Sequence, residues 1–343
     1  MKYKNLTAIF YALGAAVFYA INVPCSKLLL DSVSPTFMAG FLYLGAGLGV
    51  GLMNVLGIAK PKHEEKLNRK DMPYTLGMIL LDIIAPILLM IGVSVGTSSN
   101  ASLLGNFEIA ATTLIALLLF KEPVSGQLWA SIVLITLSSM ILSFEGSGSL
   151  HFSVGSLFVL GASVCWGLEN NCTRSIAEKS THQIVTVKGL CSGLGSLIIA
   201  FLTGEKLPEI RYIMLTMILG FVSYGLSIFT YIRAQKTLGA AKTSAYYAIA
   251  PFVGAFLSFV LLRETLSANY LTALAIMMAG TVLAVCDTLR HSHVHEHVHT
   301  FTHTHDGTTH THTIVHSHEH QHYFSDSHHR HSHSVAELEK YLK

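Results

Sequence analysis

Charge is what this sequence has least of. Lys, Arg, Asp and Glu make up 12% of its 343 residues and apolar residues 51%, whereas a soluble globular chain carries about 25% charged residues. Too few polar side chains remain to coat a water-soluble body. Also missing are a phosphate-cradling Gly-rich loop, a nucleophile elbow and a catalytic Cys/His arrangement, and no H-E-x-x-H falls within an apolar run, so an enzyme reading has little to stand on. Without an ATP-binding motif, any transport is expected to draw on an ion gradient or on solute exchange. Nothing points to nucleic acid as a partner. The five cysteines, Cys25, Cys165, Cys172, Cys191 and Cys286, contain no C-x-x-C pair and are expected to be reduced, small apolar packers.

What the sequence has in abundance is long apolar runs. A helix needs roughly 20 apolar residues to cross about 30 Å of hydrocarbon, and ten runs of that order fall at 5–29, 36–58, 73–95, 98–120, 126–144, 154–176, 182–203, 211–235, 240–262 and 267–288. Polar or Pro/Gly-rich stretches separate them, among them "DSVSP" (31–35), "AKPKHEEKLNRKD" (59–71), "KEP" (121–123) and "EGSGS" (145–149). Alternating ten-residue segments, the mark of a membrane barrel, are absent, so helices are expected. The first run follows Lys2 and Lys4 like a secretory signal, but no small-residue cleavage site closes it, and it reads as an uncleaved first helix.

Lys and Arg set the expected orientation. With a cytoplasmic N-terminus, the inner loops and span ends hold Lys2, Lys4, Lys60, Lys62, Lys66, Arg69, Lys70, Lys121, Arg174, Lys179, Arg233, Lys236 and Lys242, against Lys27, Lys206, Arg211 and Arg263 outside. This positive-inside bias places both termini in the cytoplasm, with the plasma membrane as the expected location.

The chain also repeats itself. "GAAVFYAINVPCSK" (14–27) aligns without gaps on "GASVCWGLENNCTR" (161–174), and residues 115–142 align on 257–284 with Lys121-Glu122 over Arg263-Glu264. Each half holds five spans, an odd number, so the second copy enters the membrane inverted, a pattern that places a substrate site between the halves near the midplane. These features resemble the EamA family of the drug/metabolite transporter superfamily. The resemblance covers residues 5 to about 288, with repeats at 5–144 and 154–288, and leaves the tail at 290–343 outside. It implies an all-α membrane fold of ten helices in two inverted five-helix repeats, and a cavity lined mainly by spans 1, 3, 4, 6, 8 and 9. The function implied is a secondary transporter of a small metabolite or drug, its partners the solute and the lipid bilayer.

Ionisable residues in hydrocarbon cost at least ~2.5–3.5 kcal/mol and so mark a wet cavity or a partner. Glu108 in "LLGNFEIAATT" shares a helical face with Ala101, Gly105, Ala111 and Thr112. It reads as a proton carrier or counter-charge for a cation, or else as a carboxyl held by Asn or Thr neighbours. Glu169 aligns on Asn22 across the repeat and neighbours Trp166; it is either a site acid or an interfacial one. Asp82, one turn before Pro86, is a site acid or a partner of the proline kink. Lys188 is expected to snorkel to the inner surface. Tyr224, Tyr231, Tyr246, Tyr247, Asn100 and Asn106 are further cavity candidates, and Trp129 an interfacial anchor.

Seventeen of the twenty histidines lie between His291 and His333. His291, His293, His295, His297, His299, His303, His305, His310, His312, His316, His318, His320 and His322 form the alternating part, which reads as low-complexity, without regular structure, and able to wrap Zn, Ni or Cu through imidazole nitrogen. Ser334 and Glu337 would cap a short final helix. No cofactor is expected for transport itself. Two alternatives stand beside the organic-solute reading: a Zn, Ni or Co transporter with the tail as metal collector, and a membrane metal sensor without transport. For the topology, a single cysteine at position 148 on intact cells should react with an impermeant reagent while one at position 65 stays protected; the reverse pattern would overturn it.

Overall fold

The computed structural model describes residues 2–58, 65–121, 124–145, 151–176, 179–238, 240–305 and 308–323. Two compact units emerge, 1–285 and 286–343, and each is considered by itself. The first is helical: α1 (Lys2–Ala20), α2 (Asn22–Leu29), α3 (Pro35–Val55), α4 (Met72–Val95), α5 (Ser98–Leu104), α6 (Phe107–Phe120), α7 (Gly126–Ser143), α8 (Val154–Arg174), α9 (Thr181–Leu202), α10 (Ile210–Gly220), α11 (Ser227–Leu238), α12 (Ala240–Tyr247), α13 (Ala250–Leu262) and α14 (Ala268–Thr288). Short strands β1 (Phe144–Glu145) and β2 (His151–Phe152) flank the mid-chain link.

The punctuators end and start helices as their chemistry dictates. Pro35 and Pro73 sit in first turns, where their missing N–H costs nothing. Ser125 Oγ accepts from Leu128 N at 3.0 Å, and Ser153 Oγ from Ser156 N at 3.4 Å. Among the described residues nine segments are long and apolar enough to cross a membrane. The tenth span, α8, has the length but ends in Glu169-Asn170-Asn171, and that polarity belongs to the site described below.

Several spans are interrupted, each for a local reason. Pro24 cannot donate to the Ala20 carbonyl, which separates α1 from α2, and Pro251 does the same to Tyr247 between α12 and α13. Gly105 and Asn106, both weak helix formers, divide α5 from α6; Asn106 N and Glu108 N turn to Leu103 O and Gly105 O at 3.2 and 3.1 Å. Between α10 and α11 the helix widens into a π-turn, Phe221–Leu226. The alignment that puts Lys121 on Arg263 also puts Gly105-Asn106 on Tyr247-Ala248, so spans 4 and 9 break at matching places. Lys121 and Arg263 themselves end their helices in the left-handed region at the same φ of 55°, the two non-glycine residues with positive φ among those described. The two inverted repeats thus share backbone detail as well as sequence.

The bundle is closed at one end. At the closed end α5 packs on α13, Ser98 Oγ lies 2.8 Å from Ser258 Oγ, and the Glu264 carboxylate accepts the N–H groups of Ser98 and Ser99 at 2.7 and 2.9 Å. Lys27 Nζ donates there to the carbonyls of Val93, Ser94 and Gly96 at 2.7, 3.0 and 2.9 Å, satisfying the C-terminus of α4. At the other end α6 lies on α7 and α8 while α12 lies on α1 and α11. Across the middle α3 and α9 cross in near backbone contact: a Cβ on Gly189 would stand 2.5 Å from Gly47 Cα.

In the second unit, β3 (Arg290–His305) and β4 (Thr308–Tyr323) pair antiparallel, with His291 opposite His322 and His303 opposite His310. The sequence reading gave this stretch no regular structure. The interleaved Thr, Val and Ile are good strand formers, and the intervening sequence is Asp306-Gly307, a strong hairpin signal that the histidine count overshadows. The proposed helix after Ser334 lies outside the described residues.

Candidate functional site

All of the helix irregularities meet at one cavity of about 350 Å³. Ala20, Gly105, Asn106, Ser223, Tyr224, Ala248 and Ala250 line it, which is where freed backbone groups can be satisfied without facing lipid. Six residues named from sequence face it: Asn106, Glu108, Trp166, Glu169, Tyr224 and Tyr247. The remaining candidates lie elsewhere. Asn22, 1% exposed, stands behind the wall and donates through Nδ2 to Tyr224 Oη at 3.0 Å. Tyr246 is half-buried off the cavity, and Asn100 reaches the Leu142 carbonyl at 3.5 Å instead. Tyr231 supports the wall by a 2.7 Å hydrogen bond to Ser244 and an edge contact with Tyr247. Trp129 is exposed, as an interfacial anchor requires.

Lys188 departs most from expectation. It does not snorkel to a surface: its Nζ lies 3.0 Å from Asp82 Oδ2 and 3.0 Å from Glu169 Oε1. Asp82 is fully buried, takes a further hydrogen bond from Tyr43 Oη at 2.9 Å, and sits within an unbroken α4. It is therefore an ion-pair partner rather than a companion of the Pro86 kink. Glu169 also accepts from Thr173 Oγ1. One ammonium thus ties spans 3, 6 and 7 together through two carboxylates. Spans 2 and 7, contributing Tyr43 and Lys188, belong to the lining, while span 3 supplies only Leu89 among the described lining residues.

Glu108 is different. It opens α6 just past the break, and Asn170 Nδ2 donates to its Oε1 at 2.6 Å and to Thr112 Oγ1 at 3.3 Å. Among the described residues no Lys or Arg forms an ion pair with it, and Glu169 and Lys188 lie within electrostatic reach. Asn170 and Tyr19, whose ring lies 5.9 and 5.8 Å from those of Tyr224 and Tyr247, are the site residues that the sequence does not single out. For Asn170 the signal was available, since it lies beside Glu169 on α8. In all, three carboxyls share the site with one ammonium. Three buried lining groups, Ser102 Oγ, Asn106 Nδ2 and Ser223 Oγ, have no hydrogen-bond partner, each costing about 1–3 kcal/mol while it stays so.

An inverted repeat with broken helices around a mostly apolar cavity, with Glu108, Glu169 and Lys188 at its wall, is transporter architecture. The EamA-like transporter family matches in two stretches, residues 6–144 and 153–286. The chain belongs to this family. An "Uncharacterized transporter" of Methanothermobacter thermautotrophicus is 27% identical over 299 residues, covering 82% of this chain and 86% of that one. "Uncharacterized transporter YyaM" of Bacillus subtilis is 22% identical over 269 residues, covering 75% and 86%. A solved chain described as "Crystal structure of protein" superposes with TM-score 0.57 at 16% identity, over 81% of this chain and 96% of that one, a likeness of fold. The protein is thus a multi-pass membrane transporter of small solutes, in a family of transporters rather than enzymes.

Removing one partner of a buried ion pair strands the other. Lys188→Met should therefore lower stability by about 3–5 kcal/mol, measured by thermal unfolding in detergent, and adding Asp82→Asn should recover part of the loss. Equal losses in single and double variants would show that the pair is not coupled.

Proposed function

We propose that this EamA-family protein is a secondary active transporter, in the plasma membrane with both termini cytoplasmic, that moves a small organic solute by alternating access between its two repeats. Glu108 carries the coupling, receiving either a proton or the cationic group of the solute. The observation that supports this is the charge count at the cavity: Lys188 is engaged by Asp82 and Glu169, whereas among the described residues no Lys or Arg forms an ion pair with Glu108. With the N-terminus inside, the closed end held by Glu264 faces outward. Glu108→Gln keeps the shape and removes the charge. Gradient-driven accumulation in vesicles should fall at least about tenfold, a barrier change near 1.4 kcal/mol, while membrane insertion is unchanged. Undiminished accumulation at every pH would remove Glu108 from the coupling role.

The tail is proposed as a metal-binding regulator, on the strength of its alternating imidazoles. Among the described residues no group of three or more His, Cys, Asp or Glu is gathered to hold an ion, and the tail's side chains lie outside that description. Imidazoles with an ordinary pKa of about 6.5 must be neutral to ligate, so Zn or Ni binding should be strong above that pH and fade as pH falls through it. Calorimetry on full-length protein and on a chain ending at 289 should show the metal binding lost with the tail while solute transport persists in metal-free buffer. Zn transport by the shortened chain, dependent on Glu108 or Glu169, would favour the metal-transporter reading.

A further inference from the structure

The cavity wall carries more information about the solute than its one free acid. Ser102 and Asn106 stand one helical turn apart on span 4, at the break that precedes Glu108. Ser102 Oγ would lie 3.1 Å from a Cβ on Gly254, on the cavity side of α13. Ser102 and Asn106 are 6% and 3% exposed, and their Oγ and Nδ2 atoms have no partner. Asn106 Nδ2 can only donate, so its complement is an acceptor. Within electrostatic reach of Glu108 are the rings of Tyr19, Tyr224 and Tyr247; the acid suits an ammonium by its charge and the rings by their faces.

The acceptor must also be uncharged. Asp82, Glu169 and Glu108 already outnumber Lys188, which two of them occupy, and a carboxylate on the solute would enter low-dielectric space with neutral donors and no free cation. We propose that the solute is a monocation: a protonated amine at Glu108 and the tyrosines, joined by a short spacer to a neutral hydrogen-bond acceptor, such as a hydroxyl or carboxamide, read by Asn106 and Ser102. Zwitterions and anions are rejected by the same excess of carboxyls. The inference rests on the assignment of Glu108 as the cation-reading acid.

Two matched series test it by calorimetry on the purified full-length protein, at mildly acid pH where every amine is protonated. One consists of isoamylamine, leucinol, leucinamide and leucine; the other of phenethylamine, phenylalaninol, phenylalaninamide and phenylalanine. In each, the amino alcohol and amino amide should bind about tenfold tighter than the bare amine, and the amino acid at least tenfold weaker than the amide. Asn106→Leu and Asn106→Ala, neither with a donor, should both lose the tenfold gain, with their folding checked separately by thermal unfolding in detergent. Amino acids binding as tightly as amides would overturn the charge rule. Bare amines binding as tightly as amides, or a gain that survives both Asn106 variants, would overturn the acceptor subsite and leave those donors to water. If no protonated amine of either series binds, the inference falls together with the role given to Glu108.

Discussion

A backbone amide or a carboxyl inside a bilayer has no water to turn to. That one constraint governs what this chain can build. It forces helices, because only a helix satisfies its own backbone within a segment, and it confines every departure from helix to a place where protein or a wet cavity can receive the freed groups. Pro24, Pro251, the Gly105-Asn106 pair and the π-turn at Phe221–Leu226 all comply: each opens onto the same 350 Å³ space. The charges obey the same rule. Lys188 and its two carboxylates satisfy one another, which leaves Glu108 as the acid whose counter-charge must come from elsewhere.

Symmetry is what would let one chain offer the two states proposed for it. The left-handed helix ends at Lys121 and Arg263 share one φ and one sequence pattern, and at the Arg263 end the following Glu264 holds the start of α5 against α13. Opening that end means giving up two backbone hydrogen bonds and the Ser98–Ser258 contact. Those are modest, local interactions of the kind that a bistable element exchanges for equivalents at its other end. The crossing of α3 and α9, by contrast, brings backbones into close contact, as Gly47 and Gly189 show, and would serve as a frame in the proposed cycle.

How far the sequence could be read follows from which interactions are local. Span lengths, the prolines and the gapless repeat depend on neighbours along the chain, and they led to the helical class, the inverted arrangement and the cavity face of Glu108. Lys188 was misplaced because its position near the start of α9 is a local fact, whereas its partners on α4 and α8 lie 106 and 19 residues away in sequence. The repeat aligns Asn22 on Glu169, yet one backs Tyr224 and the other pairs with Lys188, a difference of tertiary partner that alignment alone does not carry. In the tail, counting histidines hid the β-branched residues between them and the Asp306-Gly307 signal.

The central claim is that the two ends of the bundle open in alternation around Glu108. Pulsed electron-spin distances between one label pair across α5 and α13, and a second across α6 and α12, measure it directly in full-length protein reconstituted in lipid. Two populations are expected, in which a longer α5–α13 distance accompanies a shorter α6–α12 distance, with their ratio shifted by Glu108→Gln. A single unchanging distance in each pair, or both pairs lengthening together as in a channel, would contradict the account.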